Sequence, residues 1–170
     1  PFYFYNREKI KIFTNKETSN FLLKRFNYLF NKSVSSQSYF QPPLELHDID
    51  YFDELIINEI KINTIKQNHG VIDTLGFIFN NAFAYCTDVV GFPEKSFNYL
   101  YNMKVLIITG LRQSPHSAHA HFDLSFDWIS TLKPEVAYLT HLSPESDHDA
   151  VTNLCPPNTY PAYDGLILEI

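Results

Sequence analysis

The chain has 170 residues, 45% of them hydrophobic, and a formal net charge of −6 with no dense Lys/Arg run, which argues against a nucleic-acid binder held by charge. Its length can bury one sizeable core, so a single domain over 1–170 is expected, and no apolar stretch reaches the roughly 20 residues of a membrane span. Two cysteines, Cys86 and Cys155, form neither a metal pair nor a disulfide framework, which fits a reducing cytoplasm.

The opening segment PFYFYN is apolar and aromatic and lacks an initiator Met, as though the chain began inside a domain. Alternation in KIKIF (9–13) predicts a strand. Thr14 and Glu17 make a capping-box pattern for a helix carrying Phe21, Leu22, Phe26 and Leu29 on one face. Residues 31–43 read as a Ser/Asn/Pro loop. Strands are expected at 44–49, 54–57 and 60–65, with Asn58-Glu59 as a tight turn and QNHGVIDT (67–74) as an interruption. LGFIF (75–79) and AFAYCT (82–87) flank Asn80-Asn81, a hairpin signal because Asn tolerates positive φ.

Pro93 opens a short helix to about Tyr101. KVLIIT (104–109) is a continuous apolar run, the mark of a strand covered on both faces. A His-rich loop (113–121) leads into a helix from Asp123 to Leu132, and VAYLT (136–140) is another buried strand. A short helix near 147–154, the CPPNTYP loop and a terminal strand GLILEI complete a mixed α/β sheet protein.

Three polar residues share one setting: His69, Asp88 and His141 each follow an apolar strand. The carboxyl ends of strands are where layered α/β folds bind ligands, and imidazole with carboxylate suits zinc, manganese or iron. A carboxylate can also bridge two cations, as two-metal hydrolases require. Taken one at a time, each reads more readily as a structural His or a turn Asp, and only their recurrence at three strand ends brings the metal reading level. The loop RQSPHSAHAHFDL adds His116, His119 and His121, whose spacing matches no rigid ligand template but can supply a general acid or an anion clamp. There is no Gly-rich phosphate loop and no nucleophile elbow.

The stretches PFYFYNREKI, QNHGVIDTLGF, AYCTDV, LRQSPHSAHAHFDLSFDWISTLKPEVAYLTHLS and PAYDGLILEI together resemble the metallo-β-lactamase superfamily, in the branch of phosphoribosyl cyclic-phosphate phosphodiesterase. The resemblance implies an αββα sandwich holding two divalent metal ions, zinc or manganese. On it His69 would bind the first metal, Asp88 would bridge both, and His141 would bind the second. His121 would stand near the scissile phosphate, with His119 as the alternative, and Asp164 in YDGL would be structural. The implied activity is hydrolysis of a cyclic or small phosphodiester by a metal-activated water.

The superfamily's HxHxDH motif, which supplies two ligands to each metal, is absent from this sequence. The chain therefore resembles a relative shortened at its N-terminus, expected to bind metal weakly and to be inactive alone. The implied partners are a small phosphodiester substrate and either a second copy or a complementing N-terminal chain, with no membrane and no nucleic acid. The other readings are a non-catalytic interaction module and a nuclease of the tRNA-processing type.

Overall fold

The computed structural model describes residues 8–31 and 42–169; the opening PFYFYN and most of the 31–43 loop lie outside them. The chain divides into two compact units, Pro1–Tyr51 and Phe52–Ile170.

In the first unit, β1 (Ile10–Thr14) and β2 (Leu44–Asp48) pair in parallel, with α1 (Lys16–Phe30) between them in sequence. The expected Thr14/Glu17 capping box does not form. Thr14 is committed to the β1–β2 ladder, and the cap moves to Asn15, whose side chain accepts from the Thr18 N–H at 2.8 Å. Nor does the expected apolar face stay intact. Phe26 leaves helical geometry at φ −126, Phe21 and Phe26 are exposed, and Phe30 is buried instead. Lys16 and Ser19, in the first turns of α1, both donate to the Asp48 carboxylate at the end of β2.

The second unit is a seven-stranded sheet in the order β3-β4-β5-β6-β7-β8-β9. Its strands are β3 (Glu54–Ile57), β4 (Ile60–His69), β5 (Ile72–Phe79), β6 (Phe83–Cys86), β7 (Val105–Thr109), β8 (Val136–Thr140) and β9 (Thr159–Pro161). β3 to β6 form an antiparallel meander, and β6 to β9 are parallel. Helices α2 (Glu94–Tyr99), α3 (Phe122–Leu132) and α4 (His148–Leu154) supply the parallel crossovers. The mixed α/β sheet expected from the sequence is what forms.

Both predicted two-residue turns are present. Asn58 and Glu59 sit at φ 48 and 70, Asn80 and Asn81 at φ 50 and 54, the paired positive φ values of hairpins that match strand twist. The expected interruption at 67–74 is instead a third hairpin. β4 continues to His69, Gly70 turns the chain at φ 78, and β5 starts at Ile72. A polar run in a half-buried strand carries no apolar alternation, which hid this pairing from the pattern. GLILEI forms no strand among its described residues. The last strand comes from the supposed loop, Thr159–Pro161, which finds a parallel partner in β8.

The core is laid out by register. Ile78, Ala84, Leu106 and Ala137 stand in one row across four strands, and Cys86, Ile108 and Leu139 form the next. These pack with Phe122, Ile129 and Leu132 of α3 and with Val151 of α4 in one cluster. β7 is buried along nearly its whole length, as its continuous apolar run implies, whereas β8 buries only Ala137 and Leu139. Burial of Cys86 pushes its thiol pKa well above the usual value.

Leu106 is 0% exposed, so Leu106→Ala should lower the unfolding free energy by about 2–5 kcal/mol in urea titration. Val71, 99% exposed on the β4–β5 turn, should tolerate Ala within about 0.5 kcal/mol. Hydrogen bonds from Lys16 and then Ser19 hold the Asp48 carboxyl below its ordinary 3.8. A depressed folded value stabilises above the unfolded pKa. The stability gap between wild type and Asp48→Asn should therefore be constant near neutrality and close as the pH falls below 3.8, followed by circular dichroism.

Candidate metal centre

Direction brings the site together. β4 is antiparallel to β5 and β5 to β6, so β4 runs with β6, and β7 and β8 run the same way. Their carboxyl ends share one rim. His69 is the last residue of β4, Asp88 lies two residues past the end of β6, and His141 directly follows β8. The segment after β7 supplies the fourth group. Its neck is closed by the Leu111 N–H donating to Ala120 O at 2.9 Å and the Phe122 N–H to Arg112 O at 2.9 Å. The Ala120 N–H donates to Val89 O at 2.7 Å, which ties the loop to the β6 exit and carries His119 to the rim.

His69, Asp88 and His119 each offer one ligand atom, and these atoms all lie within 4.8 Å of one another. Asp88 Oδ1 is 3.8 Å from His119 Nδ1 and 3.8 Å from His141 Nε2, so one carboxylate faces two imidazoles. The His119 ring is the centre of the group. It lies 4.6 Å from His69 edge-on, 4.6 Å from His141 in a stack and 5.1 Å from His116.

The tautomer of His69 follows from its neighbour. Its Nδ1 is 2.8 Å from Ala118 O, an atom that can only accept, so Nδ1 carries a proton and Nε2 is the nitrogen left for another partner. A ring nitrogen bonded to a backbone carbonyl, with the other left free, is the usual arrangement of a metal-binding histidine. Burial lowers the pKa of His119, the nearby His141 and His69 lower it further, and the Asp88 carboxylate offsets only part of this. Its Nδ1 is buried without a hydrogen-bond partner, because 3.8 Å to Asp88 exceeds hydrogen-bond length. A buried, unpaired nitrogen on a neutral imidazole costs stability unless something binds it. The two imidazoles and one carboxylate of His69, Asp88 and His119 bring their ligand atoms close together, a donor set that fits a divalent cation such as zinc or manganese.

Asp88 and His141 hold positive φ, 56 and 62. Such backbone costs roughly 1–3 kcal/mol per residue and tends to occur where a side chain must be aimed.

The sequence reading put His121 ahead of His119 as the substrate-side residue. His119 joins the ligand atoms; His121 is the N-cap residue of α3, with no side-chain cap bond, and lies outside that group. His47 stacks on Phe13 at 5.1 Å within the first unit, and His148 meets Tyr163 edge-on at 6.3 Å. A surface depression lined by Ile129, Lys133, Pro134 and Asn158 lies at the far end of α3 and holds no histidine or cysteine. Two residues near the rim escaped the sequence reading altogether. Gln67 and Thr74 sit behind Asp88, and only Gln in an otherwise strand-like run hinted at the first.

A sequence profile described as the beta-lactamase superfamily domain matches residues 4–142. The chain belongs to the metallo-β-lactamase superfamily. Among solved structures, a diphosphatase from the PhnP family superposes with a TM-score of 0.81 at 25% identity, covering 93% of this chain and 57% of that one. The metallo-beta-lactamase fold protein YhfI from Bacillus subtilis gives 0.70 at 12% identity, over 95% of this chain and 66% of its own. The short form of human tRNase Z gives 0.65 at 11% identity, over 97% and 68%. The chain thus spans little more than half the length of the PhnP-family diphosphatase. A search of curated proteins returned no match.

If His119 is a ligand and His121 is not, His119→Ala and His69→Ala should each weaken cobalt(II) binding at least about 10-fold. His121→Ala should leave it unchanged. Chelator competition with the visible cobalt band as the signal separates the two.

Proposed function

We propose that the chain carries a divalent-cation site of a metal-dependent hydrolase acting on a cyclic or small phosphodiester. The observation that carries this reading is the gathering of the His69, Asp88 and His119 ligand atoms within 4.8 Å of one another, beside a His119 Nδ1 that is buried without a hydrogen-bond partner. The 25% identity to a diphosphatase supports phosphorus chemistry.

In this reading His69 Nε2, the Asp88 carboxylate and His119 Nδ1 would hold the cation. His141, whose Nε2 lies 3.8 Å from the same Asp88 oxygen as His119 Nδ1, would supply a further ligand. A bound divalent cation supplies Lewis acidity toward a phosphoryl oxygen and lowers the pKa of a bound water. The remaining work falls to the chain. The Asp88 carboxylate, facing two imidazoles, would balance the charge of the cation. The Ala118 carbonyl fixes the ring of His69 so that Nε2 faces the rim. His121, whose ring does not cap its own helix, is left to donate a proton or hydrogen bond to the substrate or leaving oxygen. The acidic net charge of −6 favours a small substrate over a polynucleotide.

Catalytic zinc sites commonly use three protein ligands, so the donors among the described residues suffice for one cation but are sparse for two. With donors too few for the pair of cations a bridging carboxylate serves, we propose that the chain alone binds metal weakly and turns over slowly. With zinc or manganese added, it should release product from a cyclic phosphodiester at a low rate that chelator removes. Asp88→Ala should eliminate both that rate and cation binding. Turnover that persists in Asp88→Ala, or in the presence of chelator, would exclude this site as its source.

A further inference from the structure

We propose that Gln67 and Thr74 are positioning residues, a two-step hydrogen-bond relay that sets the backbone of Asp88 and thereby the cation affinity of the rim. The inference rests on the metal reading above and adds residues that touch neither substrate nor cation.

β6 leaves the sheet after Cys86, so the carbonyls of Thr87 and Asp88 have no ladder partner. Side chains from the two preceding strands take over. Gln67, fully buried on β4, donates from Nε2 to Thr87 O at 2.8 Å and to Thr74 Oγ1 at 3.2 Å. The Thr74 hydroxyl accepts that bond and spends its one proton on Asp88 O at 2.8 Å. Two consecutive carbonyls are thus pinned at the point where the chain enters left-handed geometry, φ 56 at Asp88. Turning that peptide would swing the carboxylate away from His119 and His141.

Two further observations separate this from ordinary core packing. A Cβ at position 76 would stand 2.6 Å from Gln67 Oε1, so Gly76 keeps open the space the glutamine occupies. Gln67 Oε1 itself is buried without a hydrogen-bond partner among the described residues. Stability alone would favour Leu or Met of similar length there, since an unsatisfied buried acceptor is a cost. What only Gln supplies is a forked donor reaching Thr74 and Thr87 together.

The test uses the full chain and three variants: Gln67→Met, Thr74→Val and Thr74→Ser. Three quantities are measured, namely cobalt(II) affinity and band shape, the urea midpoint, and metal-free hydrogen exchange at the Val90 and Ala120 amides. Those amides donate to Asn68 O and Val89 O beside the β6 exit. Gln67→Met and Thr74→Val should weaken cobalt(II) binding about 10-fold or more and speed exchange at both amides. The urea midpoint should fall only modestly in Gln67→Met and Thr74→Val, each of which leaves a carbonyl without its donor, and Thr74→Ser, which keeps the hydroxyl, should match wild type. Wild-type affinity and exchange in Gln67→Met and Thr74→Val would overturn the relay while leaving the metal reading standing. If the wild-type chain fails to bind cobalt(II), the metal reading falls, and exchange judges the relay alone. Faster exchange in Thr74→Val with rescue by Ser would uphold it as a backbone clamp, and unchanged exchange would overturn it.

Discussion

Parallel strands cannot be joined by tight turns, and that constraint organises this molecule. Each parallel step from β6 to β9 must leave the sheet at its carboxyl end and return through a helix or long loop. Every exit is therefore a place where backbone ladders stop and polar side chains become free to act. β4, running the same way, delivers His69 to the same rim. A group of residues scattered from 69 to 141 in sequence becomes one site because the strands agree in direction.

Electrostatics at that rim is unbalanced in an informative way. His69, His119 and His141 surround one carboxylate, with His116 close behind. Burial, and then the neighbouring His141 and His69, favour the neutral form of His119. Neutral imidazoles present lone pairs, and the carboxylate presents charge. Such a donor set is the kind that suits a divalent cation, whereas an isolated His would more often serve packing.

Much of this was legible in residue order. Asn58-Glu59 and Asn80-Asn81 announced their turns because few residues accept two consecutive positive φ values. KVLIIT announced a strand buried on both sides. His69, Asp88 and His141 were visible as polar residues ending apolar runs. What stayed hidden depended on long-range geometry. Nothing in HSAHAH tells whether His119 or His121 faces the rim, since that is decided by the Ala120–Val89 tie. GLILEI looked like a strand but had no partner edge, while the unpromising TYP found one beside β8. The kink at Phe26 likewise moved burial to Phe30, against the simple helical stripe.

Cys86 sits in the row of core residues immediately before the exit that bears Asp88, with 0% exposure. Its thiol resists ionisation and, lacking access, resists alkylating reagents too. Cys155, part-exposed after α4, is the other cysteine of the chain. A reagent that counts thiols would thus meet the two sulfurs under different conditions, one in the folded molecule and the second only when the sheet parts beside the rim. The protein carries its own chemical clock for the opening of its site, readable without any metal, substrate or label added to it.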